Sequence, residues 1–335
     1  MQPKTIGRLG VFAVAVGVVG GVVVLSLMVG RQAISPVDVV RALMPSATGD
    51  AADIVRGLRL ERTVIGLVAG IAFGGAGALM QALTRNPLAD PGLLGVNAGA
   101  AAAVVTGFAF FGISNGFAQT GLGLAGAAAG SVVVYLLGSG SRAAATPARL
   151  ALAGAALTAV LYSYINAIAM SDQESYDALR FWVVGSVVNR GYDRLLIALP
   201  LIVLGVLLAL VVTPALNAMA FGDDTSKALG LGLGRARIVT AVAITLLCGA
   251  ATSVAGPIVF VGLAMPHVAR LVAGADQRRI VPLSMLLAAA FLVLCDTLGR
   301  VVSSGAEIEA GAVTAILGAP VFIALVRRRT LTAVS

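Results

Sequence analysis

The feature that most constrains this chain is a succession of apolar runs, each close to 20 residues long. A helix of about 20 apolar residues crosses the hydrocarbon core of a bilayer, so each run predicts one membrane-spanning helix. Charged residues, proline and glycine separate ten runs. They cover residues 9–30, 63–83, 93–112, 117–138, 148–170, 195–213, 236–254, 256–273, 281–299 and 308–326.

The composition supports the same interpretation, because 59% of the residues are hydrophobic and only 11% are charged. A soluble chain carries about 25% charged residues. We therefore predict an all-α polytopic membrane protein with a single domain over residues 1–335. A soluble enzyme, a nucleic-acid-binding domain and a disordered chain are excluded. The count of ten depends on Gly256-Pro257, which predicts a helix end and restart; without it there would be nine spans.

The distribution of charge predicts the orientation. If the N-terminus lies inside, the inside segments hold 14 of the 23 basic residues but only four of the 15 acidic ones. Basic residues accumulate in cytoplasmic segments, so both termini are predicted to be cytoplasmic. The net charge of +8 then reflects membrane orientation rather than a nucleic-acid partner. One outside segment, 31–62, is an exception, because it contains five arginines and so suggests either a local topology error or an outside partner.

Several kinds of active site are absent. A Walker A loop ends in Gly-Lys-Ser/Thr, and neither Lys4 nor Lys227 follows a glycine, so any ATP would have to be hydrolysed on another chain. His267 is the single histidine, which excludes paired-histidine metal sites. An intramembrane hydrolase that uses His267 has little support, because no GxSxG motif lies near it.

Asp296 is the one acidic residue inside a predicted span. Intramembrane acids often carry protons, so an ion-coupled secondary transporter is the alternative from another functional class. Arg300 follows four residues later, which is the helical spacing of an ion pair. We predict a structural Asp296–Arg300 pair, because proton-coupled transport would require more such groups than one.

Five segments form a more specific pattern. Residues 84–96 read TRNPLADPGLLGV, and residues 256–270 read GPIVFVGLAMPHVAR, followed by GAD at 274–276. The shorter segments are LRLER at 58–62, FWVVG at 181–185 and LGAPVF at 317–322. In this order they resemble the iron-siderophore, haem and cobalamin family of ABC importer permeases. The resemblance extends over most of the chain, and the ferric-enterobactin type is the most similar.

This resemblance implies ten helices per permease subunit, two permease subunits, two cytoplasmic ATPases and an extracytoplasmic binding protein. ATP and Mg²⁺ would be bound by the ATPase, and this chain would bind no cofactor. A heterodimer of permeases is favoured over a homodimer, as in the enterobactin type. The implied function is import of a ferric siderophore, with a catecholate favoured, across the cytoplasmic (inner) membrane. Haem or cobalamin import is the alternative within the family.

The resemblance also implies a docking surface for the binding protein at Arg59, Arg62 and Arg300, with Glu307 beside them. Two residues depart from the common family pattern, because Glu61 and Glu309 stand where many members have proline. We expect these two glutamates to add negative charge next to the docking arginines.

Two cytoplasmic sites are implied as well. Residues 222–237 read GDDTSKALGLGLGRAR and match the segment that couples the family's permeases to the ATPase. The coupling residues would be Asp223, Asp224, Lys227, Ala228, Leu229 and Gly230. The gate positions fall at Asn86 and Leu88, after the second span, and at Pro147 and Ala148, before the fifth.

Overall fold

The computed structural model describes residues 8–139, 147–171, 182–222, 226, 232–302 and 307–328. Within these ranges the chain has no β-strand and contains ten helices of 13 residues or more. They are α1 (Arg8–Met28), α2 (Leu60–Thr84), α3 (Val96–Phe111), α4 (Gly116–Ser139), α5 (Pro147–Ser171), α6 (Tyr192–Met219), α7 (Leu233–Ala255), α8 (Val261–Ala273), α9 (Gln277–Val302) and α10 (Ala310–Arg328).

The ten helices follow the ten predicted apolar runs, although their lengths differ from the expected ones. Seven helical segments of the described ranges are long and apolar enough to cross a membrane. The other three are shorter apolar helices of 10–17 residues, formed by α3, by α8 and by Ala310–Ile323 of α10. A 3₁₀ turn at Pro91–Leu94 takes up the start of the predicted third run, which leaves α3 shorter than expected.

The predicted helix boundary at Gly256-Pro257 is confirmed, because α7 ends at Ala255 and α8 begins at Val261. Gly256 has a φ of 76°, a conformation that side chains with a Cβ rarely adopt. A Cβ at this position would also lie 2.5 Å from the carbonyl oxygen of Trp182. Both the backbone conformation and the close approach of a neighbouring segment therefore require glycine here.

The segment 31–62, predicted as an outside loop, is instead largely helical. A short helix covers Pro36–Ala42, and the Ser35 hydroxyl caps it by accepting a 3.2 Å hydrogen bond from the Asp38 N–H. A π-helical stretch, Asp53–Arg59, then continues directly into α2. Arg59 and Arg62 consequently lie on one continuous helical segment rather than in a flexible connection.

Small residues allow the central helices α2 and α9 to pack closely. A Cβ on Gly70 would lie 2.5 Å from the Cα of Ala289, so the two backbones are almost in contact. The same applies between α2 and α8, where Gly77 meets the carbonyl of Gly262. Small residues are the means by which membrane helices approach one another, as the glycine-rich sequence of α2 predicts. By contrast, α5 carries exposed apolar side chains such as Leu152 and Met170.

Candidate functional site

A cluster of charged side chains lies where α9 ends and α2 begins, and we call it the arginine network. Arg62 Nη2 lies 2.9 Å from Asp296 Oδ1, and Arg62 Nη1 lies 2.7 Å from Glu307 Oε2. Arg300 Nη2 lies 3.2 Å from the other carboxylate oxygen of Asp296. The predicted Asp296–Arg300 pair is therefore confirmed, but Asp296 also binds Arg62, 234 residues away in sequence. Arg59 also belongs to the network, and its guanidinium group binds backbone carbonyls near the end of α1.

The network also holds the end of α1 in place. Arg300 donates hydrogen bonds to the backbone oxygen of Ser26 at 3.1 Å and to its hydroxyl at 2.7 Å. Arg59 donates to the carbonyl of Leu27 at 2.7 Å and to that of Gln32. The hydroxyls of Ser26 and Thr63 lie 2.8 Å apart. Three helix ends and the segment before α10 are thus joined through buried polar groups.

The arginines proposed for docking are not exposed charges. Arg59, Arg62 and Arg300 are 4%, 8% and 3% exposed, and Asp296 is 2% exposed. Their guanidinium groups already bind partners within the chain, because a buried charge is stable only when it is paired and hydrogen-bonded. The expectation that they present free positive charge to a partner is therefore corrected. The side chain of Glu307, at 32% exposure, is the accessible edge of the network.

A groove of about 300 Å³ opens beside this edge. It is lined by Arg31, Gly57, Leu58, Glu61, Arg62, Val188, Asn189 and Glu307. Because basic and acidic residues both line it, a docking partner would meet a mixed surface rather than a basic one. The docking role of Arg59, Arg62, Arg300 and Glu307 stays a prediction.

The two glutamates that depart from the family pattern both face the loop before α6. Glu61 Oε1 accepts a 2.9 Å hydrogen bond from the backbone N–H of Gly191. Glu309 lies near Arg190 in the same loop and opposes the effects of burial and of Arg194, which lower the pKa of Arg190 to about 10. Glu61 therefore holds this loop through a hydrogen bond, a role that proline cannot perform because its side chain lacks an acceptor.

The predicted gate positions Asn86 and Leu88 lie in an exposed turn after α2. Asn86 Oδ1 accepts a 3.0 Å hydrogen bond from the Leu88 N–H, which is the local bond that favours asparagine in turns. Asp90 Oδ1 similarly accepts from the Gly92 N–H at 2.7 Å. Burial raises the pKa of the Asp90 carboxyl, and this hydrogen bond counteracts the increase.

The second pair of gate positions stands at the start of α5. The side chain of Pro147 lies outside the described residues, and Ala148 is exposed. The loop after α2 reaches α5 further along the helix, where the carbonyl of Leu93 meets Gly154. No hydrogen bond joins Asn86 or Leu88 to the described part of α5, and the gating role of both pairs stays a prediction.

The coupling residues Asp223, Asp224, Lys227, Ala228, Leu229 and Gly230 lie outside the described residues. The neighbouring end of α6 is described, and it is tied to the start of α9 by what we call the amide tether. Asn217 Nδ2 donates to Asp276 Oδ1 at 2.6 Å, and Asn217 Oδ1 accepts from the Gln277 N–H at 2.7 Å. The hydrogen bond from Asn217 is the main reason that the pKa of Asp276 is lowered.

Sequence reasoning missed several residues that these contacts reveal. Ser26, Thr63 and Asn217 were not selected, although each joins helices that are distant in sequence. The same applies to Thr252, whose hydroxyl donates to Asn97 Oδ1 at 2.9 Å. The available signal was the presence of polar residues within otherwise apolar runs, because a buried polar group requires a partner.

Comparison with known proteins identifies related chains of almost the same length. A family model described as the FecCD transport family matches residues 18–328. The ferric enterobactin transport system permease protein FepD of Escherichia coli (strain K12) is 45% identical over 306 residues, 91% of each chain. The Fe(3+)-citrate import system permease protein YfmD of Bacillus subtilis (strain 168) is 38% identical over 304 residues, 91% of this chain and 90% of the relative.

A solved structure shares the architecture. It is described as an inward-facing conformation of a metal-chelate type ABC transporter, and it matches with a TM-score of 0.82 and 25% sequence identity. The match covers 95% of this chain and 98% of the other. The order and packing of the ten helices are therefore those of a known transporter fold.

Proposed function

The chain belongs to the FecCD transport family, and on that premise we propose that it imports a ferric siderophore as the permease subunit of an ATP-driven transporter. Its relatives are permease subunits, so the chain is a multi-pass membrane transport component rather than an enzyme, and ATP hydrolysis belongs to a separate subunit. The observation that carries the siderophore proposal is the 45% identity to a ferric enterobactin permease over 91% of both chains. A catecholate is the favoured ligand for the same reason.

The proposed topology has ten spans in the cytoplasmic (inner) membrane, with both termini in the cytoplasm. The bias of basic residues toward the inside segments supports it, as does the presence of ten helices in the described ranges. Cysteines introduced at Thr48 and Arg278 provide a test, because the native Cys248 and Cys295 are buried. We expect an impermeant thiol reagent to label Thr48→Cys in intact cells and Arg278→Cys only after lysis. The reverse pattern would contradict the topology.

The proposed assembly contains a second, related permease, two ATPases and an extracytoplasmic binding protein. A heterodimer of permeases is favoured by the similarity to the enterobactin type. We propose that the binding protein docks around the exposed edge of the arginine network, at Glu307 and the groove beside Arg62, while Arg59 and Arg300 support that surface from below. ATP and Mg²⁺ are bound by the ATPase, and this chain binds no cofactor of its own.

We propose that residues 222–237 carry the coupling to the ATPase, with Leu229 at the contact, and that Asn86, Leu88, Pro147 and Ala148 form the cytoplasmic gate. The amide tether supports the coupling assignment, because it joins the end of α6 to the start of α9 next to this segment. Movement of the segment would therefore be transmitted to a central helix. Leu229→Asp should abolish transport, whereas Leu331→Asp in the C-terminal segment should leave transport intact.

The experiment that tests the function is reconstitution of the permease pair, ATPase and binding protein in liposomes. We expect ATP-dependent uptake of ferric enterobactin that exceeds the uptake of haem and of cobalamin at least tenfold. Preferential uptake of haem or cobalamin would contradict the siderophore assignment but retain the importer class. Uptake by the permease alone, driven by an ion gradient, would contradict the importer class and support a secondary transporter.

A further inference from the structure

A groove of about 410 Å³ runs between α4 and α7. Its walls are almost entirely apolar and include Val132, Leu136, Ile238 and Val242. Each of these four side chains is more than 40% exposed, so the groove opens toward the surroundings of the helix bundle rather than into its core. In a membrane protein those surroundings are lipid chains.

The groove exists because α4 and α7 diverge. Further along they are almost in contact, since a Cβ on Gly249 would lie 2.9 Å from that of Ala127, and one on Gly123 would lie 3.1 Å from that of Ser253. Bulkier residues replace these small ones toward the start of α7 and the end of α4. The groove is therefore wedge-shaped. It is closed near Gly123 and open near the start of α7.

Two arginines lie at the open end of the wedge. Arg235 is exposed and Arg237 is half-buried. Arg235 precedes Ile238 by three residues and Arg237 precedes Ala241 by four, so both lie on the face of α7 that lines the groove. At 1.5 Å per residue, their positions are about 5 Å along the helix axis from the apolar wall. The apolar groove between α4 and α7 therefore has two basic residues of α7 at its open end.

We propose that this groove holds one acyl chain of an anionic phospholipid, whose phosphate lies against Arg235 and Arg237. The apolar walls offer nothing to a free phosphate. In a zwitterionic lipid such as phosphatidylcholine the choline cation offsets the charge of the phosphate, so the two features together favour a lipid with a net negative charge. Basic pockets between membrane helices on the cytoplasmic side bind such headgroups. The bound chain fills the wedge and joins α4 to α7 where their side chains do not meet.

Native mass spectrometry of the purified full-length chain tests this proposal. The chain is equilibrated with bicelles of phosphatidylglycerol or of phosphatidylcholine, and the lipid that it retains is counted as detergent is added. We expect retention of phosphatidylglycerol to exceed that of phosphatidylcholine by about fivefold per arginine, the ratio that corresponds to about 1 kcal/mol per basic side chain near an anionic surface. Arg235→Gln with Arg237→Gln should bring the ratio close to one.

A second variant tests the apolar part of the site. Val242→Trp fills the groove from an exposed position, so we expect it to reduce retention of both lipids severalfold without preventing folding. The matched control is Val211→Trp on α6, which is also exposed and does not line the groove. For the charge variant, the matched control is Arg278→Gln with Arg279→Gln at the start of α9, which should preserve the preference.

Four outcomes would overturn the proposal. The first is equal retention by Val242→Trp and Val211→Trp. The second is loss of the preference in the α9 control to the same extent as in the α7 variant. The third is displacement of the lipid by millimolar inorganic phosphate, which would show that the arginines bind a free anion instead. If a second protein chain rather than lipid is retained by the wild type and lost in Val242→Trp, the groove is a protein interface.

Discussion

The two ends of α9 are held by opposite kinds of chemistry. At its C-terminal end, the arginine network joins α1, α2 and α9 through buried charges and includes the partly exposed Glu307. At its N-terminal end, the amide tether joins α6 to α9 through Asn217 and Asp276, which are both partly exposed. The same central helix thus ends in a buried ionic cluster at one end and in solvent-accessible hydrogen bonds at the other.

This difference predicts which end tolerates change. Removing one member of a buried ion pair leaves an uncompensated charge away from water and costs about 3–5 kcal/mol. Water can replace a lost partner where the groups are exposed, so the loss there is smaller. The network end is therefore suited to a fixed geometry, and the tether end is better able to adjust.

The largest expected effect is at Asp296. Asp296→Ala leaves Arg62 and Arg300 buried without their shared carboxylate, so we expect the free energy of unfolding to fall by about 3–5 kcal/mol. Thermal unfolding in detergent, monitored by circular dichroism, measures this loss of stability. Asp193→Ala removes an exposed acid near the start of α6 and should cost less than about 1 kcal/mol. Equal melting temperatures for the two variants would show that the network contributes little.

A smaller effect is expected at the amide tether. Asn217→Ala removes the hydrogen bonds to Asp276 and to the Gln277 N–H, and partial exposure limits the loss to about 1–2 kcal/mol. A double-mutant cycle with Asp276→Ala isolates the direct contribution. We expect the two losses to be less than additive. Strict additivity would mean that the Asn217–Asp276 hydrogen bond does not stabilise the protein.

Glu61 provides a comparison at the edge of the network. Glu61→Ala removes the acceptor for the Gly191 N–H and should destabilise the protein by about 1 kcal/mol. Glu61→Gln retains an acceptor oxygen and should recover most of that stability. If Glu61→Gln is as unstable as Glu61→Ala, the negative charge rather than the hydrogen bond is what stabilises the loop.

The smallest expected effect is the pH dependence of the tether. The folded-state pKa of Asp276 is below its ordinary value, chiefly because Asn217 donates a hydrogen bond to it. Its contribution to stability is therefore complete above the unfolded pKa of about 3.9 and is lost as the pH falls through the lower folded value. The difference in melting temperature between wild type and Asp276→Asn should be constant above about pH 5 and should shrink as the pH falls below the unfolded pKa of about 3.9. If the difference in melting temperature does not shrink at low pH, the Asp276 carboxylate does not contribute to stability in this way.

The local parts of this architecture could be predicted from sequence. Apolar runs, prolines and glycines act on neighbouring residues, so they predicted the ten helices and the boundary at Gly256-Pro257. The Asp296–Arg300 pair was predictable because four residues separate two positions on one helix face. The shorter α3 and α8 were not foreseen, since hydropathy does not show where a 3₁₀ turn or an extended link replaces helix.

The long-range parts of the candidate site could not be predicted in the same way. Arg59, Arg62 and Arg300 were expected to face a partner, because the family resemblance implies a docking surface at these positions. The structure instead binds Arg62 to Asp296, 234 residues away in sequence. It binds Arg300 to Ser26, 274 residues away, in addition to the predicted partner Asp296. Which charges become buried depends on which helix ends come into contact. The pattern of neighbouring residues does not predict those contacts. The role of Glu61 toward the loop before α6 was hidden for the same reason.

The apolar runs thus determined by themselves that this chain forms a helical membrane protein, because a bilayer requires about 20 apolar residues and an internally satisfied backbone for each crossing. The motifs at 84–96 and 256–270 additionally indicated the transporter family. Only the tertiary structure decided that the arginines near the outside loop form a buried network and that α4 and α7 leave a groove. Both result from the distances between helices, which are set by packing of small residues across the bundle rather than by the order of residues along it.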